Sequence, residues 1–200
     1  MRCPSCHAPL QELSPCCPQC QFDLESAGRS FGLLPVLQAP LTDLAGALTP
    51  GHVRHVQKAL ETFPQRFPQM LFHVVITKLP KDQNAAAFCF WLFNKGGLCT
   101  PMEKGGTCHD ALLLLDVEHH RAVCIIGYGL EPFVNQEALD QIAQAALPAL
   151  HRSQCHEAVD AVLHKADEIF SAACATAPRA FGLSDHDIHD APYQEGSFAY

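Results

Sequence analysis

Two short cysteine pairs, Cys3-Pro4-Ser5-Cys6 and Cys17-Pro18-Gln19-Cys20, constrain this chain more than anything in the 180 residues that follow them. A Cys-x-x-Cys loop turns two sulfurs toward one point, and two such loops supply the four thiolates of a tetrahedral zinc site. About twenty residues cannot bury enough apolar surface to fold unaided, so in such a segment the free energy of metal binding becomes the free energy of folding. The expected ligands are Cys3, Cys6, Cys17 and Cys20, with Zn2+ as the cofactor. Cys16 is a rival to Cys17, giving a less regular Cys-x-x-x-Cys pair with Cys20. A disulfide-bonded or free-thiol leader is the alternative reading.

The ten-residue spacer and the Cys-Pro openings resemble small zinc ribbons whose knuckles read Cys-Pro-x-Cys, with His7 and Gln21 where that pattern usually has glycine. Residues 1–24 are therefore read as a ribbon. The chain passes from Met1-Arg2 directly into these cysteines, without the apolar run of a secretory leader. No stretch approaches the roughly 18 uninterrupted apolar residues of a membrane span. The remaining cysteines, Cys89, Cys99, Cys108, Cys124, Cys155 and Cys174, lack pairing rhythm and read as reduced thiols of a cytoplasmic protein. A formal net charge of −8 argues against nucleic acid, which demands clustered Lys and Arg. A protein partner is expected, without direct membrane insertion.

Past a linker at 25–38, whose second half is expected to lie against the core, periodicity predicts one α/β domain at 39–174. Thr49-Pro50 pairs an N-cap with a proline at the first helical position, and Val53, Val56 and Leu60 mark that helix's inner face. Pro64 and Pro68 end or kink it. Met70–Thr77 reads as a buried strand, Asn84–Asn94 as an apolar helix, and Ala111–Val117 as a strand covered on both faces. Glu118-His119-His120-Arg121 turns the chain into a hairpin with Ala122–Ile126. Helices follow at Asn135–Ala146 and Gln154–Ala173. The fold class is α/β, a mixed sheet sandwiched by helices and preceded by the ribbon. Residues 175–200, rich in Asp, His, Gly and Pro, are expected to be a disordered tail.

Leu41-Thr42-Asp43 with Leu48-Thr49, the leucine strand, Gly127-Tyr128-Gly129-Leu130-Glu131, and Leu147-Pro148 before the last helix together resemble the TPM-domain family. The resemblance covers roughly Ala39–Ala173. It implies a mixed sheet between helices, and the family includes a thylakoid-lumen acid phosphatase, photosystem repair proteins and a receptor-associated membrane protein. It also implies an acidic groove near Asp43, making that residue a possible Ca2+ ligand. His109-Asp110 stands where the family usually has Asn-Gly.

Carboxylates converging in a cleft would bind a hard cation, so Asp110 and Asp116, at the ends of the leucine strand, join Asp43 as candidates. Asp43 following Thr42 is equally suited to capping the local turn. Gly127 and Gly129 read as backbone necessities, with Gly129 expected to tolerate alanine poorly. His119 and His120, adjacent in a turn, point apart. His186 and His189 form a weak metal comb. No Gly-x-Ser-x-Gly elbow exists, Cys124 lies mid-strand, and Cys99 and Cys108 are the thiols to test for reactivity. The expected function is a binding or accessory module; the alternative is a metal-assisted acid phosphatase using Asp43 and Asp110.

Overall fold

The computed structural model describes residues 2–10, 14–68, 70–98 and 108–180, with side chains to Ala175. Four strands form one sheet in the order β1-β2-β3-β4: β1 (Leu41–Asp43), β2 (Phe72–Thr77), β3 (Ala111–Asp116) and β4 (Arg121–Ile126). The first three run parallel, with Asp43 opposite Ile76 and Thr77 opposite Asp116; β4 returns antiparallel. The expected mixed sheet is present.

The four leucines of β3 are explained by the two-residue period of a strand. Leu113 and Leu115 enter one apolar cluster with Val56, Leu60, Ile142, Val159 and Val162. Leu112 and Leu114 enter a second cluster with Phe88, Trp91 and Leu92. On the first face lie α2 (Pro50–Arg66), α4 (Gln136–Gln144), α5 (Leu147–Leu150) and α6 (Cys155–Ala180); on the second, α3 (Ala85–Lys95). Thr49 caps α2 as expected, its hydroxyl accepting from the His52 amide. The helix continues through Pro64 to Arg66.

Three elements differ from the sequence reading. The ribbon–linker boundary falls inside α1 (Leu24–Phe31), opened by a capping box in which Asp23 accepts from the Ser26 amide and Ser26 Oγ accepts from the Asp23 amide. This helix packs on α3 through Phe31, whose ring meets Phe88 at 5.3 Å and Trp91 at 5.5 Å. Of the segment expected to follow the core, Leu37 packs on it, whereas Leu33 and Val36 are exposed. Leu41–Asp43 forms an edge strand to which the sequence reading gave no element, too short for alternation to reveal. Helix α6 runs to Ala180, into the stretch read as a disordered tail; residues 181–200, including His186 and His189, lie outside the described residues.

Candidate functional site

The amino-terminal knuckles repeat one backbone pattern. The His7 amide bonds the Cys3 carbonyl at 2.9 Å and the Gln21 amide bonds the Cys17 carbonyl at 2.8 Å. The Cys3 amide then reaches the Ala8 carbonyl, as the Cys17 amide reaches that of Phe22. This tight return requires a left-handed residue in each loop, and His7 (φ 61°) and Gln21 (φ 58°) take the role that glycine has in the pattern. Cys3, Cys6, Cys17 and Cys20 thereby place their sulfurs all within 4.8 Å of one another. Cys3 and Cys20 are 3.6 Å apart and Cys6 and Cys17 3.7 Å. A disulfide would need about 2.05 Å, and all four are free thiols. Four thiolates each about 2.3 Å from a zinc ion would stand about 3.8 Å apart. Cys16 is exposed and outside the cluster.

The thiols feel one another strongly. The Cys20 amide leads the contributions that lower Cys17 to about 7. At Cys6 the Ala8 amide pulls down, but burial and the thiols of Cys20, Cys17 and Cys3 together push it up to about 12. Four such groups ionise together only around a cation, and the geometry can hold a metal ion such as zinc.

The second feature lies at the carboxyl ends of the parallel strands, where open α/β sheets place their ligand crevices. A cavity of about 340 Å³ is lined by Ala45, Gly46 and Ala47 after β1, Lys78 after β2, Val117 and Glu118 after β3, and Leu150, Ser153 and Cys155 around the start of α6. Asp43 ends β1 beside this groove, but its two carboxylate oxygens accept from the Ala47 amide at 3.1 Å and the Leu48 amide at 2.9 Å. It pins the loop that leads to α2, the capping role open to it in the sequence. Burial, and then the charge of Asp43, raise the Cys155 thiol above its ordinary value. Ser153 has φ 57°.

Asp116 and Asp110 do not converge with Asp43. They flank opposite ends of β3, a six-residue strand that spans about 20 Å. Asp116 is fully buried and saturated by the Leu79 and Glu118 amides, His119 Nδ1 at 3.1 Å and Arg121 Nε at 2.8 Å. Burial alone would raise its pKa; the Leu79 amide and the Arg121 and His119 side chains outweigh that and lower it. Arg121 also donates to the Gln83 carbonyl, tying the hairpin to the start of α3. His119 and His120 diverge as expected, one toward Asp116 and the other toward the His151 ring, 5.0 Å away. Asp110 is buried near His73, a β2 residue whose two ring nitrogens find no partner within hydrogen-bond geometry among the described residues.

Cys124 is buried mid-strand, its thiol pushed up to about 12 by burial. Cys108 is disulfide-bonded, which corrects the reading of it as a reduced, reactive thiol. Cys99 and Lys104 lie outside the described residues. Gly127 is a constrained glycine of its corner. A methyl there would overlap the Cys108 carbonyl oxygen and lie 2.6 Å from Cys108 Sγ.

The groove residues Lys78, Ser153 and Cys155 were missed because the three-residue β1 hid the parallel edge. The available signal was their position just after a strand or just before a long helix. Asn84 was missed too: it caps α3 through Oδ1 while Nδ2 donates to the Ser5 carbonyl at 3.0 Å.

Comparison with known proteins fits this arrangement. The family profile of the TPM domain matches residues 41–169, well over half of the chain. The chain belongs to the TPM-domain family. The amino-terminal domain of a Porphyromonas gingivalis protein, solved by NMR, is similar in fold. It has a TM-score of 0.54 and 19% identity, over 66% of this chain and 82% of that one. The BA42 protein of the psychrophilic bacterium Bizionia argentinensis gives 0.53 and 12% identity over 65% and 86%. At these identities the likeness concerns the fold. Comparison with curated proteins finds no match. Among the described residues, no helix is long and apolar enough to cross a membrane.

Proposed function

We propose that this TPM-domain protein is a zinc-stapled binding module, in which the ribbon and the domain together engage a protein partner, rather than a dedicated phosphoesterase. The observation that carries this reading is the state of Asp43. Both of its carboxylate oxygens are taken by backbone amides, which leaves little for a calcium ion that wants six to eight oxygens. Phosphoryl transfer further depends on positive charge placed around the transferring group, and among the described residues the groove offers Lys78 alone. Net charge of −8 favours a protein partner over nucleic acid. Zinc is the ion we assign to the four cysteines, because sulfur-only tetrahedral cages select zinc and iron.

The hydrolase reading is favoured by one feature: Lys78, Ser153 and Cys155 share a groove at the strand ends. Hydrolysis of a generic phosphate ester near pH 5 and pH 7, with and without calcium, separates the two. The module reading expects marginal turnover that Asp43→Asn leaves unchanged. Robust turnover that collapses in Asp43→Asn would replace it with the enzyme. Affinity capture with and without residues 1–20 then reads whether the ribbon contributes to partner binding.

A further inference from the structure

Helices α2 and α6 pack against each other, and their shared outer surface carries a cluster that neither the groove nor the ribbon uses. His52 and His55 lie three residues apart on α2; His156 and Asp160 lie four apart on α6. Both spacings put the members on one helix face. Across the interface the His52 and His156 rings stack with centroids 3.8 Å apart and planes 15° apart. The His55 ring stands edge-on to His156 at 6.4 Å and 86°. His55 Nε2 is 2.8 Å and 3.0 Å from the two Asp160 carboxylate oxygens. All four side chains are partly or well exposed.

We propose that this cluster is a second metal site, binding a borderline transition-metal ion such as Zn2+ or Ni2+ through His52, His55 and His156, with Asp160 orienting His55. Imidazole donors suit zinc, copper and nickel and disfavour calcium or magnesium. A carboxylate on one ring nitrogen fixes the tautomer and aims the other nitrogen at the metal, the usual outer-shell arrangement of ligating histidines. Here Asp160 holds Nε2 and leaves Nδ1 of His55 for the ion.

The distances fit after modest movement. Two imidazoles on one tetrahedral zinc, each with Zn–N of 2.0–2.1 Å, have ring centres about 5 Å apart. The present separations of 3.8 Å and 6.4 Å fall on either side of that. The cysteine cluster is the one group of ligand atoms already convergent among the described residues, so the histidine site closes by ring rotation of exposed side chains.

Its position gives it consequence. His156 follows Cys155 of the groove wall, and His52 lies in the first turn of α2, next to the loop that Asp43 pins. An ion here would clamp α2 to α6, whose first residue Cys155 lines the groove.

The test uses the full chain with one zinc equivalent already bound, titrated with further Zn2+ against a chromophoric chelator. A second equivalent is expected, with a coordination shell of nitrogen and oxygen by X-ray absorption and a rise in Tm on binding. His52→Ala combined with His156→Ala should weaken this second equivalent at least tenfold while leaving the first intact. Asp160→Asn should weaken it roughly 10-fold or more. Absence of a second equivalent, sulfur in its shell, or its survival in the double variant would each overturn the proposal, the last pointing to other histidines such as His186 and His189. If the double variant folds poorly, His55→Gln and Asp160→Asn carry the same comparison singly, and full retention in both overturns the site.

Discussion

Gly127 lies so close to Cys108 that a Cβ would fall 2.8 Å from its carbonyl carbon and onto its carbonyl oxygen, while its own amide donates to the Asp110 carbonyl at 2.9 Å. Backbone cannot give way as a flexible side chain can, so Gly127→Ala should destabilise the fold by about 1–3 kcal/mol, as overpacked sites do. Urea unfolding of wild type and Gly127→Ala decides; unchanged stability would refute this reading. The structural nature of the Gly-Tyr-Gly corner was legible in the sequence. What confines Gly127 was not, because the obstacle comes from residue 108, distant along the chain. His73 was equally opaque: a histidine inside an apolar strand shows its cost only when both nitrogens are seen without partners among the described residues. Burial lowers its pKa below the usual histidine value, against the opposing charge of Asp110 and the Leu98 backbone. The unfolded chain, with histidine near 6.5, therefore takes up the proton first as pH falls. The contribution to stability is full above about 6.5 and is lost as pH drops toward and through the lower folded value. His73→Phe should flatten the decline in stability between pH 7 and pH 5; an unchanged slope would assign the acid sensitivity elsewhere.

At the level of elements, what the sequence made plain were a capped helix and segments with long apolar runs: α2 from Thr49-Pro50, α3 from its apolar stretch, β3 from its leucines. What it hid were short pieces whose existence depends on neighbours. Strand β1 has three residues and is held by pairing to β2. Helix α1 has eight, with Gly28 and two serines inside it, too short to persist alone; the Asp23 and Ser26 pair was its one written signal. Asn84 joins these elements, since its side chain both caps α3 and donates to the Ser5 carbonyl of the first knuckle. Asn84→Ala should destabilise by about 1–2 kcal/mol through the lost cap. Asn84→Asp keeps the acceptor and removes only the donor to Ser5. It should therefore retain most of the stability while increasing amide hydrogen exchange in residues 2–10. Identical exchange in wild type and Asn84→Asp would mean that this bond does not seat the ribbon.

Across the whole molecule these contacts form a sequence: the four cysteines join the two knuckles, the first knuckle meets α3, and α1 packs on the same helix. The two steps onto α3 differ in kind. Among the described residues the first knuckle reaches it through one exposed hydrogen bond, whereas α1 buries Ala27 and, with Phe22 and Leu37 on either side of it, brings Leu24 and Phe31 onto the second apolar cluster. Aromatic pairs such as Phe31 with Phe88 and Trp91 add about 0.5–1.5 kcal/mol each beyond their buried area. The domain boundary set by composition near residue 39 therefore cuts through a packed layer. A chain beginning at Gln21 keeps Asp23 and α1 and should unfold cooperatively with a Tm close to that of the full protein. A chain beginning at Ala39 strips the cover from Trp91 and should melt lower or aggregate. Trp91 is the only tryptophan and is buried, so its emission should shift to the red in the shorter chain alone. With zinc in the four-cysteine cluster, as proposed above, chelation should resemble the first truncation and not the second: faster exchange in residues 2–20, with the amides of β2 and β3 still protected. If chelation lowers the Tm as far as removal of residues 1–38 does, the ribbon and α1 act as one unit, and the metal holds the second face of the sheet closed.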